Sequence, residues 1–314
     1  MNPVSALLAA LAAIDAAFVA LWTKAMVTRP SLVNAGATRT PDMPGRYPNV
    51  EELIVGFVTN FFDTLGIGSY APTTSFFKLR NIVDDRIIPG TMTIGHTVPT
   101  AVQTFLFVAA VPVDVTTLSS MIGAASVGAW LGAGVVAKWP KRKIQIGMGI
   151  ALLIAATIMF LGSDDSNPGP LMQLTGIKVL PGGGDALGVS GTRLAIAVGV
   201  NFVLGALMTL GIGLYAPCMI TIYLLGMNPR AAFPIMMGSC AFLMPVAAIA
   251  FIREMSFSNR PALGLTLGGI PGVLIAFFIV RSLPVRYLFW LVVAVVLYTS
   301  VSMLRSALTS SRPS

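Results

Sequence analysis

Asp63 and His96, the latter the chain's only histidine, are its sharpest chemical singletons. Each interrupts a long apolar stretch, where an ionisable group is costly and is by default a functional hypothesis. A carboxyl close to an imidazole can pass a proton, and histidine changes charge near neutral pH. If the two approach, they can couple the movement of another solute to a proton gradient. A negative Asp63 would repel an anion, so with an anionic solute it must be protonated, paired or turned away. The structural alternative is that Asp63 ties together backbone at a helix break and His96 satisfies a neighbouring carbonyl.

Hydroxyls and amides that can ligate an oxyanion gather around Asp63: Asn60, Thr64, Ser69, Tyr70, Thr73 and Thr74. A second group, Asn201, Thr209, Tyr215, Cys218 and Thr221, lies in the other half of the chain. In membrane helices such side chains also simply bond helix carbonyls or fill packing space. Tyr70 and Tyr215 stand out because they recur in a repeated text. Residues 64–72, TLGIGSYAP, return 145 positions later as TLGIGLYAP, with only Ser69 and Leu214 differing. Gly66 and Gly68, like Gly211 and Gly213, interrupt an apolar stretch that restarts at Pro72 or Pro217. Such a repeated break is the mark of a discontinuous helix at a transporter's binding site. Proline suits a first helical turn, so each restart presents a helix N-terminus whose free N–H groups and positive dipole end favour an anion. Glycine there lets backbone approach the anion closely.

The composition places these breaks in a bilayer. Apolar residues make up 55% and charged residues 10% of 314, with a mean hydropathy of +0.84, too oily for a soluble domain of this size. The formal charge of +8 does not indicate nucleic acid, because Lys and Arg lie in short loops between apolar stretches, where they fix topology. Cys218 and Cys240 fall in apolar segments without metal-ligand spacing and read as buried free thiols. No cofactor motif is present.

The expected fold is an all-α polytopic membrane protein. Residues 1–27 form an uncleaved transmembrane helix and 28–52 a polar, proline-containing loop. The first repeat, 53–162, has apolar blocks at 53–79, 87–111, 116–137 and 144–161. An outside, Gly-rich loop at 163–193 leads to the second repeat, 194–305, with blocks at 194–225, 231–252, 262–280 and 285–304, before a tail at 306–314. The offset of 145 also aligns Pro89 with Pro234, Met92 with Met237 and Gly123 with Gly268, whereas Pro140 and Arg142 match Pro284 and Arg286 one residue out of step.

As one helix, block 53–79 would reach about 40 Å against a hydrocarbon core of about 30 Å. Turning at Gly66 and Gly68 makes it a re-entrant hairpin with arms of roughly 20 Å. Three crossings then follow in each repeat, and an odd number inverts the second repeat relative to the first. Charge favours this: with loop 28–52 inside, only Lys178, Arg193, Arg230, Arg281 and Arg286 of the 20 Lys and Arg residues fall outside. Full crossings divide them evenly. Inverted hairpins are expected to meet near the midplane at one site that each half gates in turn.

Carried by Gly66, Gly68 and Pro72 in one half and Gly211, Gly213 and Pro217 in the other, the chain resembles the sulfite exporter (TauE/SafE) family of bacterial membrane permeases over residues 52–305. It departs from that family's run of consecutive glycines at Ile67 and Ile212. The resemblance implies a secondary transporter of the bacterial inner membrane for export or uptake of sulfite, an organosulfonate such as sulfoacetate or a related sulfur-containing anion, with export the expected direction. Composition and spacing reach only "anion"; the sulfur comes from the resemblance. A passive anion channel is the rival reading and needs a continuous polar pore. An intramembrane serine hydrolase fits poorly, because Gly68-Ser69 is followed by Tyr70 and Ala71 rather than completing a nucleophile elbow.

Overall fold

The computed structural model describes residues 3–28, 47–136, 140–163, 168–178, 180–181, 183–209 and 212–309. Most of the polar loop at 28–52, Gly211 and the end of the tail lie outside them. The described residues form twelve α-helices: α1 (Pro3–Thr28), α2 (Val50–Thr64), α3 (Tyr70–Leu79), α4 (Ile88–Ala110), α5 (Val115–Val136), α6 (Lys141–Leu161), α7 (Pro170–Thr175), α8 (Gly191–Met208), α9 (Tyr215–Leu224), α10 (Ala232–Arg253), α11 (Asn259–Ser282) and α12 (Val285–Thr309). Between α6 and α8, Gly162–Ser163 pairs in parallel with Leu180–Pro181, so the inter-repeat segment carries some local structure.

Six helical segments are long and apolar enough to cross a membrane: Pro3–Thr28, Arg142–Leu161, Gly191–Met208, Pro229–Arg253, Asn259–Ser282 and Val285–Leu308. The chain is a helical, multi-pass membrane protein. At 23 residues α4 is long enough, but it carries Thr91, Thr93, His96, Thr97, Thr100, Gln103 and Thr104, all buried, and is too polar to be among the six.

The helices group into two compact units that do not coincide with the two halves of the sequence. One comprises Met1–Phe107 with Cys240–Ile279, the other Val108–Ser239 with Val280–Ser314. In the first, α2 opens with a capping box in which Asn49 and Glu52 exchange side-chain and backbone bonds at 2.8 Å. It runs alongside α11 in close backbone contact. A Cβ on Gly268 would stand 2.0 Å from the Leu53 carbonyl oxygen, and one on Gly272 2.4 Å from that of Phe57. Helix α4 joins them through Gly95, whose carbonyl accepts the Thr266 hydroxyl at 2.8 Å. Helix α1 adds Phe18 and Trp22 to a cluster with Ile94, Ala248, Ile252, Phe257 and Ala262, and the Trp22 indole N–H donates to Asn259 Oδ1 at 2.9 Å.

In the second unit α8 lies along α5 in the same way. A Cβ on Gly128 would meet the Phe202 carbonyl oxygen at 2.0 Å, and one on Gly205 that of Ala125 at 2.1 Å. Asn201 Nδ2 donates to the Met121 carbonyl at 2.7 Å. These pairs repeat those of the first unit. Adding 145 to the α2 number and subtracting 144 from the α11 number turns Phe57–Gly272 into Phe202–Gly128, Asn60–Gly269 into Gly205–Ala125, and Gly56–Leu265 into Asn201–Met121. The one-residue slip seen at Pro140 and Pro284 is therefore already present in the helices that precede them. Each unit joins the first two helices of one repeat to the fourth of the other, α11 in the first unit and α5 in the second. Beside this core α6 packs on α12, where Ser300 Oγ donates to the Gly149 carbonyl at 2.7 Å and a Cβ on Gly149 would crowd Leu304.

Candidate functional site

Among the described residues, the helices that flank each copy of the nine-residue text return alongside one another. In the first, α2 ends with Gly66 N–H donating to Asp63 O at 2.8 Å and Ile67 N–H to Phe62 O at 3.1 Å. Gly66 and Gly68 have φ of 95° and 90°, the left-handed region in which a Cβ is unfavourable. Helix α3 then starts at Tyr70 with Pro72 in its first turn, and its first backbone bond runs from Thr73 N–H to Ser69 O at 3.0 Å. The amides of Tyr70 and Ala71 thus precede the helical ladder. At the other end of the pair, Arg80 Nε meets the Glu51 carboxylate, and Val55 shares an apolar cluster with Phe77, Ile82 and Val83.

Around the second copy, Ile212 N–H donates to Leu207 O at 3.4 Å and Cys218 N–H to Leu214 O at 3.1 Å. Pro217 falls in the first turn of α9. The end of α9 returns to the start of α8, for a Cβ on Gly226 would stand 3.8 Å from an Arg193 guanidinium nitrogen. The two copies differ at Gly213, whose φ is not left-handed and around which a Cβ would meet nothing within 4 Å.

A buried hydrogen-bond network surrounds the first turn. Asn60 Nδ2 donates to the Gly56 carbonyl at 2.8 Å and the Leu265 carbonyl at 3.3 Å, which leaves Oδ1 facing His96 Nδ1 at 3.0 Å. His96 Nε2 lies 2.9 Å from Thr73 Oγ1, itself 2.8 Å from the Ser69 carbonyl. The Tyr70 hydroxyl is 3.0 Å from Thr93 Oγ1, which donates to Pro89 O at 2.8 Å, so the tyrosine is the donor of that pair. Gln103 Nε2 donates to Asp63 Oδ2 and to Thr64 Oγ1, each at 2.9 Å. Asn60, Thr64, Thr73, His96 and Gln103 are wholly inaccessible to solvent.

The structure therefore brings Asp63, Ser69, Tyr70, Thr73 and His96 to one turn, but Asn60 and Thr73 occupy both ring nitrogens of His96 while Asp63 is held by Gln103. Around the second turn the matching chemistry is missing. Counted at the offset of 145, Asn60, Asp63, Ser69, Thr73, His96 and Gln103 become Gly205, Met208, Leu214, Cys218, Ala241 and Ala248. Tyr215 and Cys218 are buried there, Thr221 bonds back to Pro217 O at 2.8 Å, and Asn201 spans Met121 O and Ser239 Oγ.

Two polar groups escape a reading of the sequence for motifs. Gln103 lies seven residues beyond His96 on the same face of α4, a spacing that could have revealed it. Asp15 sits mid-way along α1, and among the described residues both its carboxylate oxygens are buried without a hydrogen-bond partner. Among the described residues no group of three or more His, Cys, Asp or Glu side chains is placed to hold a metal ion.

No family model, curated protein or solved structure matches this chain.

Proposed function

We propose that this protein is a secondary transporter of a small oxyanion that works by alternating access. The observation that carries the reading is the doubling back of the chain at both copies of the glycine text, with Glu51 against Arg80 in one and Arg193 beside Gly226 in the other. A 10-residue arm such as α3 or α9 spans about 15 Å, half a hydrocarbon core, so each pair is a re-entrant hairpin that leaves on the side it entered. Three crossings follow each hairpin, the repeats are inverted, and the charge asymmetry places loop 28–52 in the cytoplasm.

The backbone amides at the starts of α3 and α9, with the hydroxyls of Ser69 and Tyr70 in the first unit, are the groups that bind the anion. The resemblance to the sulfite exporter family makes the cargo sulfite or an organosulfonate and the setting the bacterial inner membrane. Asp63 and His96 supply proton coupling. Turns closed by backbone bonds favour saturable exchange over a continuous pore.

The test uses purified protein in liposomes with sulfite, sulfate, sulfoacetate, taurine and acetate, each with and without an imposed pH gradient. Saturable uptake and counterflow of a sulfur oxyanion are expected. Non-saturating conductance without counterflow makes the protein a channel, and no flux of any oxyanion overturns the reading.

A further inference from the structure

Hydrogen counting around His96 carries an inference that deepens the transport reading and rests on it for its purpose. The Asn60 amide spends both N–H groups on the Gly56 and Leu265 carbonyls, so its oxygen can only accept. His96 Nδ1 must therefore carry a hydrogen, and in the neutral ring Nε2 is a bare acceptor. Thr73 then has one hydrogen and two claimants, His96 Nε2 at 2.9 Å and the Ser69 carbonyl at 2.8 Å. With neutral His96 one claimant goes without the hydroxyl hydrogen, and if that is Ser69 O it keeps only the Thr73 N–H at 3.0 Å. When Nε2 binds a proton from the aqueous phase, Nε2–H donates to Thr73 Oγ1 and the Thr73 hydrogen turns to Ser69 O. Both claimants on Thr73 then have a hydrogen.

We infer that His96 Nε2 is the proton-binding atom of this protein and that the Thr73 hydroxyl reports its occupancy to the Ser69 carbonyl, at the turn from which the anion-binding amides project. Thr73 is a positioning residue. One proton is taken up, no other bond to hydrogen is broken, and the ring gains one positive charge. Buried away from water, that charge is stable only beside an opposite one, so proton and monoanion enter the site together. Three other titratable groups stand near the ring. Asp63, one turn beyond Asn60 on α2, is held by Gln103. Tyr70 on α3 has its ring 6.1 Å from the imidazole and its hydroxyl on Thr93. Cys240 on α10 is a buried thiol. The ring nitrogens face Asn60 and Thr73. The second unit, with Ala241 and Cys218 at the matching positions, has no such relay.

His96 is the only histidine and Ser69-Tyr70 the only Ser-Tyr pair, so each can be watched alone in the full chain purified without a polyhistidine tag. Nitrogen-15 histidine in lipid bilayers should show a neutral ring protonated at Nδ1, converting to imidazolium as pH falls in sulfite buffer. The carbonyl resonance of Ser69, selected by carbon-13 serine and nitrogen-15 tyrosine, should move with the same midpoint. In Thr73→Val the imidazolium loses one more bond than the neutral ring. Its midpoint should fall by about one pH unit, a tenfold loss of proton affinity, and the Ser69 response should vanish. Thr73→Ser should restore both, which shows that the Val effect is not misfolding. A neutral ring protonated at Nε2, an equal midpoint in Thr73→Val, or a Ser69 resonance indifferent to the ring overturns the proposal. These readouts are independent of flux, so a failed relay in a protein that transports, or a working relay in one that does not, is told apart.

Discussion

Arg80 Nε lies against the Glu51 carboxylate across 29 residues of chain, most of them helical. Had α2 and α3 formed one straight helix, these side chains would stand about 40 Å apart. With Glu51→Cys and Arg80→Cys in a background lacking Cys218 and Cys240, a short bifunctional thiol reagent should link the two positions within one molecule. Failure to link them at any reagent length under about 15 Å contradicts the fold. The ion pair itself is half exposed and its loss should change stability by no more than about 1 kcal/mol.

The neighbouring pair is different in kind. Glu52 is nearly inaccessible, accepts from Arg260 Nε at 3.2 Å, and also closes the cap at Asn49. Arg260→Met leaves that carboxylate buried beside an apolar side chain and should cost about 3 kcal/mol of stability. The check is thermal unfolding in detergent, with Glu52→Gln in the same background expected to recover part of the loss.

Glycines at matching positions should not respond alike. Gly68→Ala forces a Cβ into left-handed backbone and should destabilise by about 1–2 kcal/mol, whereas Gly213→Ala meets neither strain nor neighbours and should be neutral. Gly128→Ala and Gly272→Ala, which drive a Cβ into a carbonyl of the partner helix, should each cost about 1–3 kcal/mol or more. Melting temperatures of the four variants decide it.

Flux should read the ionisable pair separately from stability. Asp63→Asn and His96→Ala should each alter the pH dependence of anion transport while counterflow at fixed pH persists. Unchanged profiles in both remove proton coupling from the account.

Much of this was legible because glycine and proline act through backbone, and backbone constraints survive duplication. The TLGIGxYAP text marked both helix breaks, and the slip at Pro140 and Pro284 marked the register that reappears in Phe57–Gly272 and Phe202–Gly128. The exchange of helices between repeats was not legible. It depends on which glycine faces align across α2 and α11, a long-range match that no local pattern encodes. Asp63 and His96 were visible as misfits in apolar sequence, but their partners Gln103, Asn60 and Thr73 were not assignable, since buried Thr and Gln look alike whether they bond backbone or each other. Asp15 carries no such signal, because the apolar stretch around it reads as an ordinary first crossing.

The claim on which the transport account depends is that the two hairpins open to opposite faces of the membrane. In cells, single cysteines at Val50 and Leu79, bounding the first hairpin, and at Gly191 and Leu224, bounding the second, can be challenged with a membrane-impermeant thiol reagent. The account predicts that Val50→Cys and Leu79→Cys are both shielded from outside and that Gly191→Cys and Leu224→Cys both react. Val50→Cys and Leu79→Cys reacting from opposite sides, or all four from the same side, would contradict it.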